Sequence, residues 1–130
     1  METVEALTRL LKASEILPES EAGRQLAGYL ALLHKWNARV NLTSSTDWRV
    51  IGPLFREGIW AGKLCPDSVF SHLDIGSGAG FPALLLKILN PRMALEMIES
   101  REKKSHFLET VAHQLGLVGV KVHNVRLSDY

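Results

Sequence analysis

Apolar positions recur along the first third of the chain at helical spacing. Val4, Leu7, Leu10 and Leu11 form one such stripe, which Pro18 interrupts, so the pattern predicts a short amphipathic helix. After Pro18, Leu26, Tyr29, Leu30, Leu33, Trp36 and Val40 follow at steps of three and four, with Glu19 and Glu21 near the positive end of the helix dipole. A long helix from about Pro18 to Arg39 is the consequence. Thr46 or Asp47 can cap a third helical segment carrying Val50, Ile51, Leu54, Phe55, Ile59 and Trp60, in which the Gly52-Pro53 pair should introduce a break or kink.

Beyond Cys65-Pro66 the period changes. Val69 to Ile75 is short, apolar and β-branched, reads as a buried strand, and runs into Gly76-Ser77-Gly78-Ala79-Gly80. Phe81 to Leu89 then reads as a helix with Pro82 in its first turn, stopped by Asn90-Pro91, and Met93 to Ile98 as a second strand. Glu102 to Leu115 is a helix closed by Gly116, and Val120 to Val125 a third strand. Strand, helix, strand, helix, strand predicts an α/β fold with a parallel sheet built by right-handed crossovers. The expected organisation is a helical segment over residues 1–65 followed, over 66–130, by the first half of a doubly wound domain. Such a sheet needs cover on both faces, so half of it is expected to be missing, leaving the third strand as an open edge through which chains can pair.

Composition narrows the class without naming a function. With 130 residues, 46% of them apolar, the chain can bury a core, which excludes disorder and argues against two large domains. Fifteen basic against 14 acidic residues leave a formal charge of +1, so any nucleic-acid surface must be a local patch. Cys65 is a single cysteine and no signal peptide is evident, which points to the cytoplasm. No apolar run approaches the roughly 20 residues of a membrane span, so no membrane association is expected.

The candidate chemistry lies in Asp74-Ile75-Gly76-Ser77-Gly78-Ala79-Gly80-Phe81, where glycines alternate directly after a strand and before a helix. Backbone without Cβ atoms lets a ligand approach closely, and the helix start offers free N–H donors. A dinucleotide fingerprint would place its third glycine where Phe81 stands, which disfavours a nicotinamide oxidoreductase. The loop instead resembles the first motif of S-adenosylmethionine-dependent methyltransferases. Glu99, about 20 residues further on at the end of the second strand, can accept hydrogen bonds from two ribose hydroxyls. A tight turn and a solvated acid are the competing readings of the same residues.

A more specific resemblance rests on residues occurring in one order: Leu33-His34-Lys35-Trp36-Asn37, Val40-Asn41-Leu42-Thr43-Ser44, Asp74 to Pro82, and Lys103-Lys104 with Phe107-Leu108. Together they resemble the GidB/RsmG family from about Ala22 onward. The resemblance implies a Rossmann-like methyltransferase fold, S-adenosylmethionine as cofactor, and methylation of ring nitrogen 7 of a guanine in small-subunit ribosomal RNA, naked or in a ribosomal particle. It implies cofactor contacts from Asp74, Gly76, Ser77, Gly78, Gly80 and Phe81, a ribose contact from Glu99, and an adenine contact from Leu127-Ser128. Ala83 departs from the family's glycine and is expected to crowd the methionine end, and Ser128 stands where glutamate is usual. Around Pro53 to Gly58, only Glu57 matches the family's acid. A cofactor- or RNA-binding remnant without transfer activity is the alternative.

Arg101, Lys103 and Lys104 form a basic cluster at the start of the last helix, and with Arg126 they are the candidates for RNA phosphates. A solvated helix face is an equally good reading, because Glu102 and Glu109 dilute the charge. Trp36 and Asn37 read as an anchor for the helical segment, because Trp36 lies on the apolar stripe; a base-stacking platform is the other reading. None of the five histidines has an obvious acidic partner, and no catalytic acid, base, nucleophile or metal set is assigned.

Overall fold

A computed structural model describes residues 2–66 and 70–130. Three helices, α1 (Glu2–Ala13), α2 (Glu21–Asn37) and α3 (Trp48–Leu64), precede β1 (Ser71–Ile75), α4 (Ala83–Leu89), β2 (Ala94–Ile98), α5 (Glu102–Gln114) and β3 (Val120–His123), with a 3₁₀ turn at Leu127–Asp129. The expected α/β arrangement of parallel strands behind amino-terminal helices is the one found. Val69, expected to begin the first strand, lies outside the described residues.

Capping explains where the helices differ from the periodicity. Ser20, rather than Pro18, starts α2, because its Oγ accepts from the Gly23 N–H at 3.1 Å. Gly23 fits because a Cβ there would lie 2.4 Å from the Leu17 carbonyl oxygen. At the other end Asn37 Oδ1 accepts from the N–H groups of Leu42 and Thr43 at 2.9 and 3.0 Å, so the Trp-Asn…Asn-Leu-Thr stretch is a side-chain-closed turn. Trp36 packs on His106 and Phe107, with ring centroids 5.4 and 5.7 Å away, and anchors α2 onto α5.

The expected break at Gly52-Pro53 does not occur: α3 runs unbroken from its Asp47 cap through Pro53. A proline inside a helix costs about 3 kcal/mol. Burial of Ile51, Phe55 and Ile59 on the same helix outweighs this, at about 1.5–3 kcal/mol for each side chain. The helix also lies very close to α4. A Cβ at Gly58 would sit 2.5 Å from Leu85 Cδ2, and one at Gly62 would sit 2.7 Å from Leu89 Cδ1.

The sheet order is β1-β2-β3, all parallel, with Leu73 beside Glu96 and Glu96 beside Lys121. Two crossovers of one hand in one direction put α4 and α5 on the same face, where Leu95 and Met97 are fully buried. The opposite face is open, and this corrects the expectation of a buried first strand: Leu73 is 44% and Ile75 54% exposed. Among the described residues, both β1 and β3 are edges. The tail folds back over part of the open face, where the Tyr130 hydroxyl donates to Glu96 Oε2 at 2.8 Å and its ring meets His123 edge-on. Lys87 lies fully inside and donates to the Pro91 carbonyl at 2.7 Å and to that of Met93. Burial lowers its ammonium below the ordinary lysine range.

A candidate nucleoside-cofactor site

The glycine run adopts a backbone that residues with a Cβ rarely take: φ is +70° at Gly76, +55° at Gly78 and +94° at Gly80. The turn leaves β1 and hooks onto the neighbouring strand, since the Gly76 N–H donates to the Ile98 carbonyl at 2.8 Å and that of Ser77 to the same oxygen at 3.3 Å. Among the described residues, no atom outside the immediate chain neighbours lies within 4 Å of a Cβ built at Gly76. The loop therefore presents open space above bare backbone, which suits a bound nucleoside cofactor. Gly80 differs, because a Cβ there would meet Leu84 Cδ1 at 2.4 Å; its role is packing against α4.

Glu99 stands at the end of β2, 5% exposed, and both of its carboxylate oxygens are engaged. Oε1 accepts from the Gly78 N–H at 2.7 Å and Oε2 from the Arg101 N–H at 2.9 Å. The sequence reading assigned Glu99 to a ligand; in the structure its carboxylate binds the glycine loop to the start of α5. Each oxygen keeps a second lone pair.

Tyr29 is a site residue that sequence reasoning missed. Its hydroxyl donates to the Ala79 carbonyl at 2.6 Å, pinning the loop to α2 from inside the core, where burial raises the phenol well above its ordinary range. Its ring packs on Phe55 and Phe81, with centroids 5.7 and 5.3 Å away, so Phe81 is partly enclosed by the helices. The only sequence signal was Tyr29's place on an apolar stripe, where a hydroxyl needs a partner.

Other expectations shift. The helix start after the loop is less open to a ligand than expected, because the Leu84 N–H donates to the Gly80 carbonyl at 2.8 Å. Ala83 is fully buried among the packing of α4, so its methyl belongs to the core instead of crowding the open loop. Leu127 and Ser128 lie exposed on the 3₁₀ turn, carried to the Glu99 end of the sheet by a hydrogen bond from Asn124 Nδ2 to the Glu99 carbonyl at 3.0 Å. His123 does have an acidic neighbour, Glu96 at 3.4 Å, on the open sheet face.

The basic candidates divide. Arg101, Lys103 and Arg126 are exposed and Lys104 half-buried, but only Lys103 faces a groove of about 760 Å³ between the end of α2 and α5. Lys35 and Arg39, which sequence reasoning passed over, join it there beside Trp36 and His106, with Glu102 as the opposing charge. Helix phase on two separate elements decides this grouping.

Residues 22–130 match the model of a family described as rRNA small subunit methyltransferase G. The chain belongs to that family. It is 35% identical over 130 residues to a ribosomal RNA small subunit methyltransferase G of Streptococcus pneumoniae serotype 19F, covering 92% of this chain and 52% of the relative. A protein of the same name from Roseiflexus castenholzii is 43% identical over 103 residues, covering 78% of this chain and 44% of the relative. One from Streptococcus equi subsp. equi is 31% identical over 98% of this chain and 55% of the relative. The chain thus spans about half the length of the methyltransferase G relatives it matches. Among the described residues, no helix is long and apolar enough to cross a membrane.

Proposed function

We propose that this chain binds S-adenosylmethionine over the Gly76–Gly80 loop and serves methyl transfer to ring nitrogen 7 of a guanine in small-subunit ribosomal RNA, in the cytoplasm. The observation that carries the reading is the positive-φ glycine turn opening onto free space and tied through Gly78 to Glu99. Gly76 and Gly78 give close backbone approach, with Asp74, Ser77, Gly80 and Phe81 shaping the loop around the cofactor. Glu99 accepts from the ribose hydroxyls through its remaining lone pairs, and Leu127 and Ser128 lie beside the adenine. When bound, the cofactor supplies an electrophilic methyl group on a sulfonium centre.

Guanine's nitrogen 7 attacks with its own lone pair and no proton is removed, so the chain's residues need only orient the partners and exclude water. Positioning supplies the rate. Lys103, Lys35 and Arg39 in the groove, together with the separate candidates Arg101, Lys104 and Arg126, serve RNA phosphates.

Calorimetric titration with S-adenosylmethionine tests the reading. Saturable binding by the chain, lost in Gly76→Arg, is expected; a folded chain that binds none would overturn it. The alternative reading is a cofactor- or RNA-binding chain without transfer activity. Transfer of labelled methyl to bare small-subunit RNA separates the two.

A further inference from the structure

We infer that the pocket between α3 and the Phe81-Pro82 turn receives the target guanine, with Trp60 stacking on the base and Glu57 accepting from its N1–H and N2–H groups. This rests on the methyl-transfer reading above and adds to it how the base is recognised.

The pocket has a volume of about 420 Å³ and is lined by Leu54, Glu57, Trp60, Ala61, Phe81 and Pro82. Four of these come from α3, and the other two directly follow the glycine loop, so the pocket adjoins the carboxyl end of that loop. Gly58 and Gly62 seat α3 tightly on Leu85 and Leu89 of α4, and α4 begins immediately after Pro82. The pocket walls are therefore mutually fixed.

Trp60 is 67% exposed, unlike the half-buried Trp36 and Trp48, which pack on other rings. Among the described residues Trp60 has no aromatic partner. An indole left bare beside a pocket offers a π-face to a flat base. Glu57 is exposed one helical turn away and, among the described residues, forms no ion pair.

A carboxylate only accepts hydrogen bonds. Guanine's pairing edge places two N–H donors side by side, whereas adenine puts a lone pair on N1 between its neighbours, which a carboxylate repels. Gripping the pairing edge leaves nitrogen 7 free on the opposite side of the purine. The target guanine must then be unpaired in the RNA.

The test uses 5′-GMP and 5′-AMP as probes, with nucleotide binding followed by NMR shifts of the Trp60 indole and S-adenosylmethionine binding measured by calorimetry on the same samples. GMP should bind about tenfold more tightly than AMP. Trp60→Ala should weaken GMP binding about tenfold, with Trp60→Phe recovering most of it. Since Trp60 is absent from both variants, their binding is read from ligand-side NMR. Glu57→Gln should erase the preference, weakening GMP binding and relieving the repulsion that acts on AMP. Both side chains are exposed, so thermal melts of the variants should match that of the parent chain. Equal binding of the two nucleotides, no saturable GMP binding, or a Trp60→Ala variant with unaltered GMP affinity overturns the assignment. S-adenosylmethionine binding without a GMP preference defeats the pocket alone; a GMP preference without S-adenosylmethionine binding defeats the cofactor reading alone.

Discussion

Two glycines that look alike in sequence differ once the neighbours of each are known. Gly76 has a positive φ but open space around its missing Cβ, while Gly80 has a positive φ and Leu84 in the way. Gly76→Ala should therefore cost about 1–2 kcal/mol of backbone strain. Gly80→Ala should lose a further 1–3 kcal/mol, roughly, from overpacking. Urea denaturation of the two variants checks the order, and equal stabilities would refute it. Tyr29→Phe strips the Ala79 carbonyl of a buried donor, so stability should fall by about 1–2 kcal/mol. The same change should raise the Kd for S-adenosylmethionine, because the loop is no longer pinned from below. An unchanged Kd would show that the loop holds its shape without the tyrosine. The glycines' freedom was legible in the sequence; Tyr29's partner, 50 residues away, was not.

At the scale of elements, α3 shows a propensity rule overridden by tertiary packing. The Gly52-Pro53 pair carries a local signal to stop, but Ile51, Phe55 and Ile59 bury against the rest of the core and hold the helix continuous. The tail beyond β3 is held by weaker forces. Hydrogen bonds from Tyr130 and from His123 hold the Glu96 carboxyl below its usual range, and the Glu96 contact raises the Tyr130 phenol. A lowered acid stabilises above its unfolded range and ceases to do so as pH falls through its folded value. A raised phenol stabilises below its unfolded range and ceases to do so as pH rises through its folded value. The Tyr130 contact should accordingly persist at neutral pH and be lost only in acid below the ordinary carboxylate range and in base above the ordinary phenol range. NMR shifts of the Tyr130 ring across that range would report it, and a flat profile would count against the contact.

For the whole molecule, the sheet's uneven cover has the largest consequence. Helices α4 and α5 shield one face, while Leu73 and Ile75 stay half-exposed on the other and, among the described residues, both outer strands carry unpaired edges. Unpaired edges beside apolar side chains favour strand addition, so the chain should associate as its concentration rises. Light scattering across a concentration series would show it, and a sharp monomer throughout would exclude it. The sequence by itself determined the element order, the parallel crossovers, the glycine turn and the acid at the end of the second strand. Each follows from short-range causes: hydrophobic period, capping residues and φ freedom. Only the tertiary structure decided that Tyr29 pins the loop, that Glu99 ties that loop to α5, that Lys35 and Arg39 join Lys103, and that Trp60 stands bare beside Phe81. Those groupings depend on how distant helices rotate and approach when they pack. Periodicity marks which face of a helix is apolar but not which residue of another element that face will meet.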